Sequence, residues 1–200
     1  LEARGLGVRG RGGAVLLRDV SLTIGVGQLI AILGPAGAGK STLLNALSGV
    51  TRPDAGHVTV SGEPLEAMYA EVARVPQDDI VHRDLTPREA LQYAAGLRLP
   101  PDHARAEVRE VVARLLSELD LESCADRPIT MASGGQRKRV GVGTEMVGQP
   151  RLLFLDEPGA GLDAAHDRDL MAMCRRLADD GRAVVLTTHN TWHIGMCDRL

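Results

Sequence analysis

The chain has 200 residues, 44% of them hydrophobic and 24% charged, with a formal net charge of −3. That is apolar material enough for one domain with a sizeable core, or one domain with an inserted lobe. The balance lacks the basic footprint of a nucleic-acid binder, and aromatics, at 2%, leave the core to Leu, Val, Ile, Ala and Met.

Taken in chain order, residues 14–24 (AVLLRDVSLTI) alternate in part and read as a strand, with a turn marked by Gly25 to Gly27. LIAIL at 29–33 is a short continuous apolar run, the pattern of a strand buried on both faces. A glycine-rich loop follows, and STLLNALSG at 41–49 has helical spacing with a stop at Gly49. The uncharged stretch 20–39 approaches the length of a membrane span, but Gln28, Pro35 and several glycines interrupt it, so no membrane-spanning segment is expected. HVTVS at 57–61 alternates and turns at Gly62. From 85 to about 121 the pattern is helical, with segments 87–96 and 102–119 separated by Pro100-Pro101, as in a helical lobe inserted into an α/β core. LLFLD at 152–156 is a second buried strand, a helix is expected over about 164–179 before Gly181, and AVVLTT at 183–188 is a third buried strand ahead of His189. Buried strands alternating with helices predict a mainly parallel sheet. Cys124, Cys174 and Cys197 are widely spaced, which fits a reducing compartment and provides no disulfide framework or zinc site. The first residue is Leu1 rather than Met, as expected of an excised domain or a mature fragment.

GPAGAGKS at 34–41 satisfies G-x-x-x-x-G-K-[ST] in full, with a buried strand entering and a helix leaving. Gly34, Gly37 and Gly39 let the backbone turn sharply and approach phosphate oxygens. The loop N–H groups and the helix N-terminus then offer donors and positive partial charge to an anion. The expected nucleotide site therefore runs through Gly34, Pro35, Ala36, Gly37, Ala38, Gly39, Lys40, Ser41 and Thr42. Lys40 reaches the β- and γ-phosphates of ATP and Ser41 offers its hydroxyl to Mg²⁺. Lysine occurs only at 40 and 138 in a chain that otherwise uses Arg, so its retention in the loop adds weight. A glycine-rich turn with a chance lysine would lack this agreement of motif and context.

Asp156 and Glu157 close the strand LLFL, and in α/β sheets ligands sit beyond the carboxyl ends of strands. Asp156 is thus expected to serve Mg²⁺ through water, and Glu157 to act as base or orienter for the attacking water. By themselves they would read equally well as two surface carboxylates. In ASGGQRKRV at 132–140, Ser133 and Gln136 form an S-x-x-Q capping box, so a helix starts there. Gly134 and Gly135 leave its first N–H groups uncovered, a second helix end suited to an anion. The plain alternative is an ordinary cap followed by solvated Arg137, Lys138 and Arg139.

The order of these motifs resembles the ATP-binding cassette family over nearly the whole chain: P-loop 34–42, glutamine at Gln77, SGGQ at 133–136, the acidic strand 152–157, GLD at 161–163 and His189. VPQDDIVHRDLTPREAL at 75–91 and RKR after the signature are similar to the G-type exporters and their bacterial relatives. The resemblance implies an α/β P-loop NTPase core with a mainly parallel sheet, an antiparallel β part and a helical lobe at about 85–145, with 1–200 one nucleotide-binding domain. By this resemblance the chain stops, at 198–200, before the family's closing strands and helices. The resemblance also implies roles. Gln77 contacts Mg²⁺ or water and relays nucleotide state to a transmembrane domain, in the same or a separate chain. Ser133, Gly134, Gly135 and Gln136 bind the γ-phosphate of ATP held by a second nucleotide-binding domain in a head-to-tail dimer. Asp163 sits at that dimer interface, and His189 contacts the γ-phosphate. The expected place is the cytoplasmic side of the cell membrane. Without the neighbouring motifs, Gln77 would read as a solvated loop amide, Asp163 as a helix N-cap and His189 as a strand-end histidine. His189 and His193, four apart, would pair on a helix as metal ligands, but Asn190 stands where H-E-x-x-H needs Glu.

Some positions depart from the family. Ala132 replaces the usual Leu before SGGQ, Gly159 the common Thr or Ser after DEP, and Ala36 the frequent Asn or Ser in the P-loop. No aromatic precedes Tyr69, so the adenine-stacking residue is missing and loose base selectivity is expected. ATP hydrolysis driving transport is the expected function. The rivals are a soluble ABC ATPase, a nucleotide-gated interaction module, and a small-molecule P-loop kinase, which would leave SGGQ unexplained.

Overall fold

A computed structural model describes residues 1–78, 80–100 and 103–200. Its central sheet is parallel, with order β3 (Leu29–Leu33), β8 (Ala183–Thr188), β7 (Leu152–Leu155) and β6 (Val72–Val75). All four residues of β7 are buried, as a strand covered on both faces requires. Side chains alternate between the faces with the two-residue period of a strand. Leu153, Leu155, Val184 and Leu186 join one buried cluster, while Leu152, Phe154, Ala183 and Val185 join another. Burying each such large side chain fully stabilises the fold by roughly 1.5–3 kcal/mol.

The second cluster is closed by an antiparallel sheet of order β2 (Val15–Thr23), β1 (Glu2–Arg9), β4 (Ala55–Val60) and β5 (Glu63–Pro64), together with helix α1 (Lys40–Leu47). β1 and β6 are absent from the sequence pattern. In β1 the buried residues are Ala3, Leu6 and Val8, and the three-residue step from Ala3 to Leu6 breaks the two-residue period where the pairing with β2 is irregular. β6 is only four residues long.

The first cluster is closed by α2 (Pro87–Arg98), α3 (Arg105–Glu118), α4 (Gly134–Met146) and α5 (Ala164–Asp179). Thr86 and Glu89 form a full capping box at the start of α2, with Pro87 in its first turn. α3 starts three residues later than the spacing predicts, with Glu107 accepting from the Ala104 N–H at 3.0 Å. Pro101 and Asp102, within the expected break and second helical segment, lie outside the described residues, as does Asp79 of the 75–91 segment. Residues of α2, α3 and α4 share one buried cluster with the parallel sheet. After β8 the chain returns to β3: Arg199 forms a parallel bridge with Ile30, and Asp198 accepts from the Leu29 N–H at 2.7 Å. No helix among the described residues is long and apolar enough to cross a membrane.

Register sets up the rest. Leu33 pairs Thr188, Leu155 pairs Leu186, and Val75 pairs Leu155. All four parallel strands therefore end at one edge, where the P-loop, Asp156, Glu157, His189 and Gln77 follow directly.

Candidate active site at the carboxyl edge of the parallel sheet

From Leu33 the chain turns into α1, whose N-cap is Gly39 at φ 90° with no side-chain cap. The first N–H groups of the helix are thus left for an anion. A Cβ at Gly39 would meet Leu16 O at 3.3 Å, so both φ and space favour glycine. Lys40 is buried, and its ammonium folds back to donate to the carbonyls of Gly34 at 3.0 Å and Pro35 at 3.1 Å. Its Nζ also stands 3.2 Å from Glu157 Oε1.

Asp156, 5% exposed, is held on both oxygens. Oδ1 accepts from Ser41 Oγ at 2.9 Å and Thr187 Oγ1 at 2.8 Å, and Oδ2 from the Arg74 guanidinium at 3.2 Å. A carboxylate this buried requires such partners. Thr187 Oγ1 also accepts from the Glu157 N–H at 2.8 Å, so one hydroxyl fixes both acids. Glu157 sits at φ 42°, in the left-handed region, a conformation costing of order 1–3 kcal/mol for a non-glycine residue. From there its Oε1 meets Lys40 and its Oε2 lies 3.4 Å from His189 Nδ1. The His189 side chain is 64% exposed.

The sequence motifs do not single out Arg74 or Thr187. Thr187 leaves a trace, a hydroxyl near the end of an apolar strand. Arg74 leaves none, because its strand is too short to register as a pattern. Ser41 and Asp156 present adjacent oxygen donors, the chemistry Mg²⁺ takes. Among the described residues no group of three or more His, Cys, Asp or Glu could hold a metal ion.

The other expected site residues lie apart from this cluster. Gln77 is exposed beyond β6, and its carbonyl accepts from Lys138 Nζ, which ties α4 to that loop. Lys138 is thereby buried rather than solvated. Ser133 caps α4 by accepting from the Gln136 N–H at 3.2 Å, while Gln136 Oε1 accepts from the Ser133 N–H at 2.9 Å. A Cβ on Gly134 would stand 3.0 Å from Leu162, and one on Gly135 3.2 Å from His166, so this helix start packs closely on the start of α5. There Asp163 is the N-cap, accepting from the N–H groups of His166 at 2.9 Å and Ala165 at 3.1 Å. The His166 N–H and the His166 ring hold its carboxyl below the usual carboxylate range. Among the described residues no hydrogen bond joins Ser133, Gln136 or Asp163 to the Lys40–Glu157 cluster. The 189–193 segment is not helical, so the four-residue spacing of the two histidines does not become a helical metal pair; His193 Nε2 lies 3.3 Å from Ala164 O instead.

The family model described as ABC transporter matches residues 17–160. The ABC transporter ATP-binding/permease protein Rv1747 of Mycobacterium tuberculosis is 47% identical, covering 100% of this chain and 24% of its own length. ABC transporter G family member 21 of Arabidopsis thaliana is 41% identical over 88% of this chain and 27% of its own length. The chain thus spans about a quarter of the length of these curated relatives. Among solved structures, cbiO1 from Clostridium perfringens, part of the ABC transporter complex cbiONQ, has a TM-score of 0.90 at 25% identity, covering 98% of this chain and 81% of that one. Motif order, sheet register and these similarities agree: the chain belongs to the ABC transporter family and has the fold of its ATP-binding subunits.

Proposed function

We propose that the chain binds MgATP at the carboxyl edge of its parallel sheet and hydrolyses it to drive a transmembrane domain, from the cytoplasmic face of the membrane. The observation that carries this reading is the cluster of Lys40, Ser41, Asp156, Glu157 and His189, drawn within hydrogen-bond or ion-pair reach by the register of β3, β7 and β8.

Catalysis here is positioning and electrostatic stabilisation. The loop 34–42 holds the phosphates on the N–H groups around the start of α1, and Lys40 offsets their charge. Ser41, and Asp156 through water, would hold Mg²⁺, which would supply positive charge to the phosphate site. Thr187 and Arg74 keep Asp156 in place. Glu157 orients the attacking water and accepts its proton, and His189 donates to the γ-phosphate. Gln77, joined to α4 by Lys138, relays the nucleotide state to the membrane partner.

The SGGQ helix start of a second copy, in a head-to-tail dimer, completes the site from the far side of the γ-phosphate with Ser133, Gly134, Gly135 and Gln136. Asp163 lies at that interface. Hydrolysis is then second order in protein at low concentration. Measured at saturating ATP, the rate should rise more steeply than linearly with protein concentration. A rate strictly proportional to concentration throughout would mean that one chain holds a complete site.

A further inference from the structure

Three segments meet at a carboxylate that the mechanism above does not use. Asp167, in the first turns of α5, is 8% exposed. Its Oδ2 accepts from Asn190 Nδ2 at 3.0 Å. Its Oδ1 fills the space in front of Gly159, where a Cβ would lie only 2.1 Å away. Asn190 is used at both ends and on its backbone: its Oδ1 accepts from the Trp192 N–H at 3.0 Å and its own N–H donates to Thr188 Oγ1 at 3.0 Å. These residues line a cavity of about 410 Å³ together with Glu157 and His189.

A carboxylate buried this far is costly unless its partners compensate. Burial pushes its carboxyl up, and the neighbouring His193 and His189 imidazoles, both carried by the loop that Asn190 belongs to, act in the opposite direction. It is not needed to cap α5, because Asp163 does that. His189 is too exposed for packing to fix its ring. Its one ion-pair contact among the described residues is Glu157 Oε2, 3.4 Å from Nδ1, so the backbone on either side must help to hold it, and Asn190 is the next residue.

We propose that Asp167 is a positioning residue: through Asn190 it fixes the loop that carries His189 against the turn after Glu157. Gly159 supplies the room, since a side chain there would push the carboxylate away from Asn190. That gives a physical reason for the glycine at the position after DEP. The inference rests on the reading of His189 as a γ-phosphate contact, and His189→Ala is included below to separate the two.

The test is steady-state ATP hydrolysis by the full-length protein, with thermal unfolding of each variant in parallel. Asp167→Ala and Asn190→Ala should each lower kcat on the order of tenfold or more, because misplacing a contacting group acts on turnover. Their KM for ATP should stay within about twofold, since His189 acts on the transition state rather than on binding. The double variant should lose no more than either single one, as for two links of one chain. Asp167→Asn, whose amide oxygen can still accept from Asn190, should keep most of the turnover. If His189→Ala lowers kcat while Asp167→Ala and Asn190→Ala do not, or if Asp167→Asn loses as much as Asp167→Ala, the positioning role is wrong. If His189→Ala also leaves kcat unchanged, the reading of His189 is wrong and this inference falls with it.

Discussion

Lys40 Nζ and Glu157 Oε1 stand 3.2 Å apart, so the cation that opens α1 and the acid that follows β7 neutralise each other across the sheet edge. The pair separates binding from chemistry. In the proposed mechanism Lys40 meets phosphate, whereas Glu157 is needed only when water attacks. Glu157→Gln keeps the side chain's shape and removes its basicity. ATP binding should persist while hydrolysis falls on the order of 10²–10⁴-fold, the range for a general base. Titration with a fluorescent nucleotide and phosphate-release kinetics check both halves, and unchanged turnover would remove Glu157 from the role.

Lys40→Met should act on binding first. Hydrogen bonds to a charged group contribute about 1.5–3 kcal/mol, so nucleotide affinity should fall by roughly 10- to 150-fold. The same titration reads it directly, and affinity within experimental error of the unaltered chain would place the phosphates elsewhere.

Arg74 brings a fixed positive charge to 3.2 Å from Asp156 Oδ2. A second cation near that carboxylate is repelled by the guanidinium. In Arg74→Met the Mg²⁺ concentration giving half-maximal tightening of nucleotide binding should drop several-fold, by about the tenfold that 1.4 kcal/mol represents at most. A rise instead would mean that holding Asp156 in place outweighs the repulsion.

The side of the P-loop nearest β2 offers aliphatic surface, with Val15 and Leu16 exposed and Leu16 O 3.3 Å from where a Cβ on Gly39 would stand. Stacking on an aromatic contributes about 1–3 kcal/mol per base. With no aromatic before Tyr69, that contribution is missing, and GTP should compete with ATP with an inhibition constant within about tenfold of ATP's own, as expected when stacking is lost. Discrimination far above that would contradict the loss of stacking and require another group that reads the base.

Asp198 ties three parts of the chain. Its Oδ2 accepts from Arg175 at 2.6 Å and from the Leu29 N–H at 2.7 Å, and Arg175 also donates to Gly27 O at 2.9 Å. Arg175, then the Leu29 N–H, hold its carboxyl below the ordinary value of 3.8. A lowered value means that the contribution is complete above 3.8 and is lost as pH falls through the lowered value. The side chain is 43% exposed, so solvent screening reduces the effect. Asp198→Asn should lower Tm by about 2–4 °C near neutral pH, corresponding to roughly 1 kcal/mol in a chain of this size. The gap from the unaltered chain should close in acid, and a gap independent of pH would assign the loss to packing.

The features readable from sequence are those with local causes. The three apolar strands, the capping box at Ser133 and Gln136, and the helix over 164–179 each follow from period, cap and stop residues close together in the chain. β1 escapes the pattern because its register shifts leave Ala3, Leu6 and Val8 off a two-residue period, and it exists through its pairing with β2 and β4. The site was legible as motifs but not as a network. Nothing in the order of residues says that Thr187 joins Asp156 to Glu157, that Arg74 takes the other carboxylate oxygen, or that Asp167 fills the gap at Gly159. Those contacts depend on register and on helix docking, which sequence period does not fix.

The central claim is that one copy's Lys40–Glu157 cluster is completed by the SGGQ helix start of another. Mixing two inactive variants tests it most directly. Lys40→Met disables the P-loop but leaves a sound signature, and Ser133→Arg does the reverse. A mixed head-to-tail dimer contains one site built from two sound halves. Each variant alone should be inactive, and the equimolar mixture should recover up to about a quarter of the unaltered rate, since random pairing makes half the dimers mixed and each of these holds one of its two sites. A mixture as inactive as its components, with dimers present, would contradict the shared site.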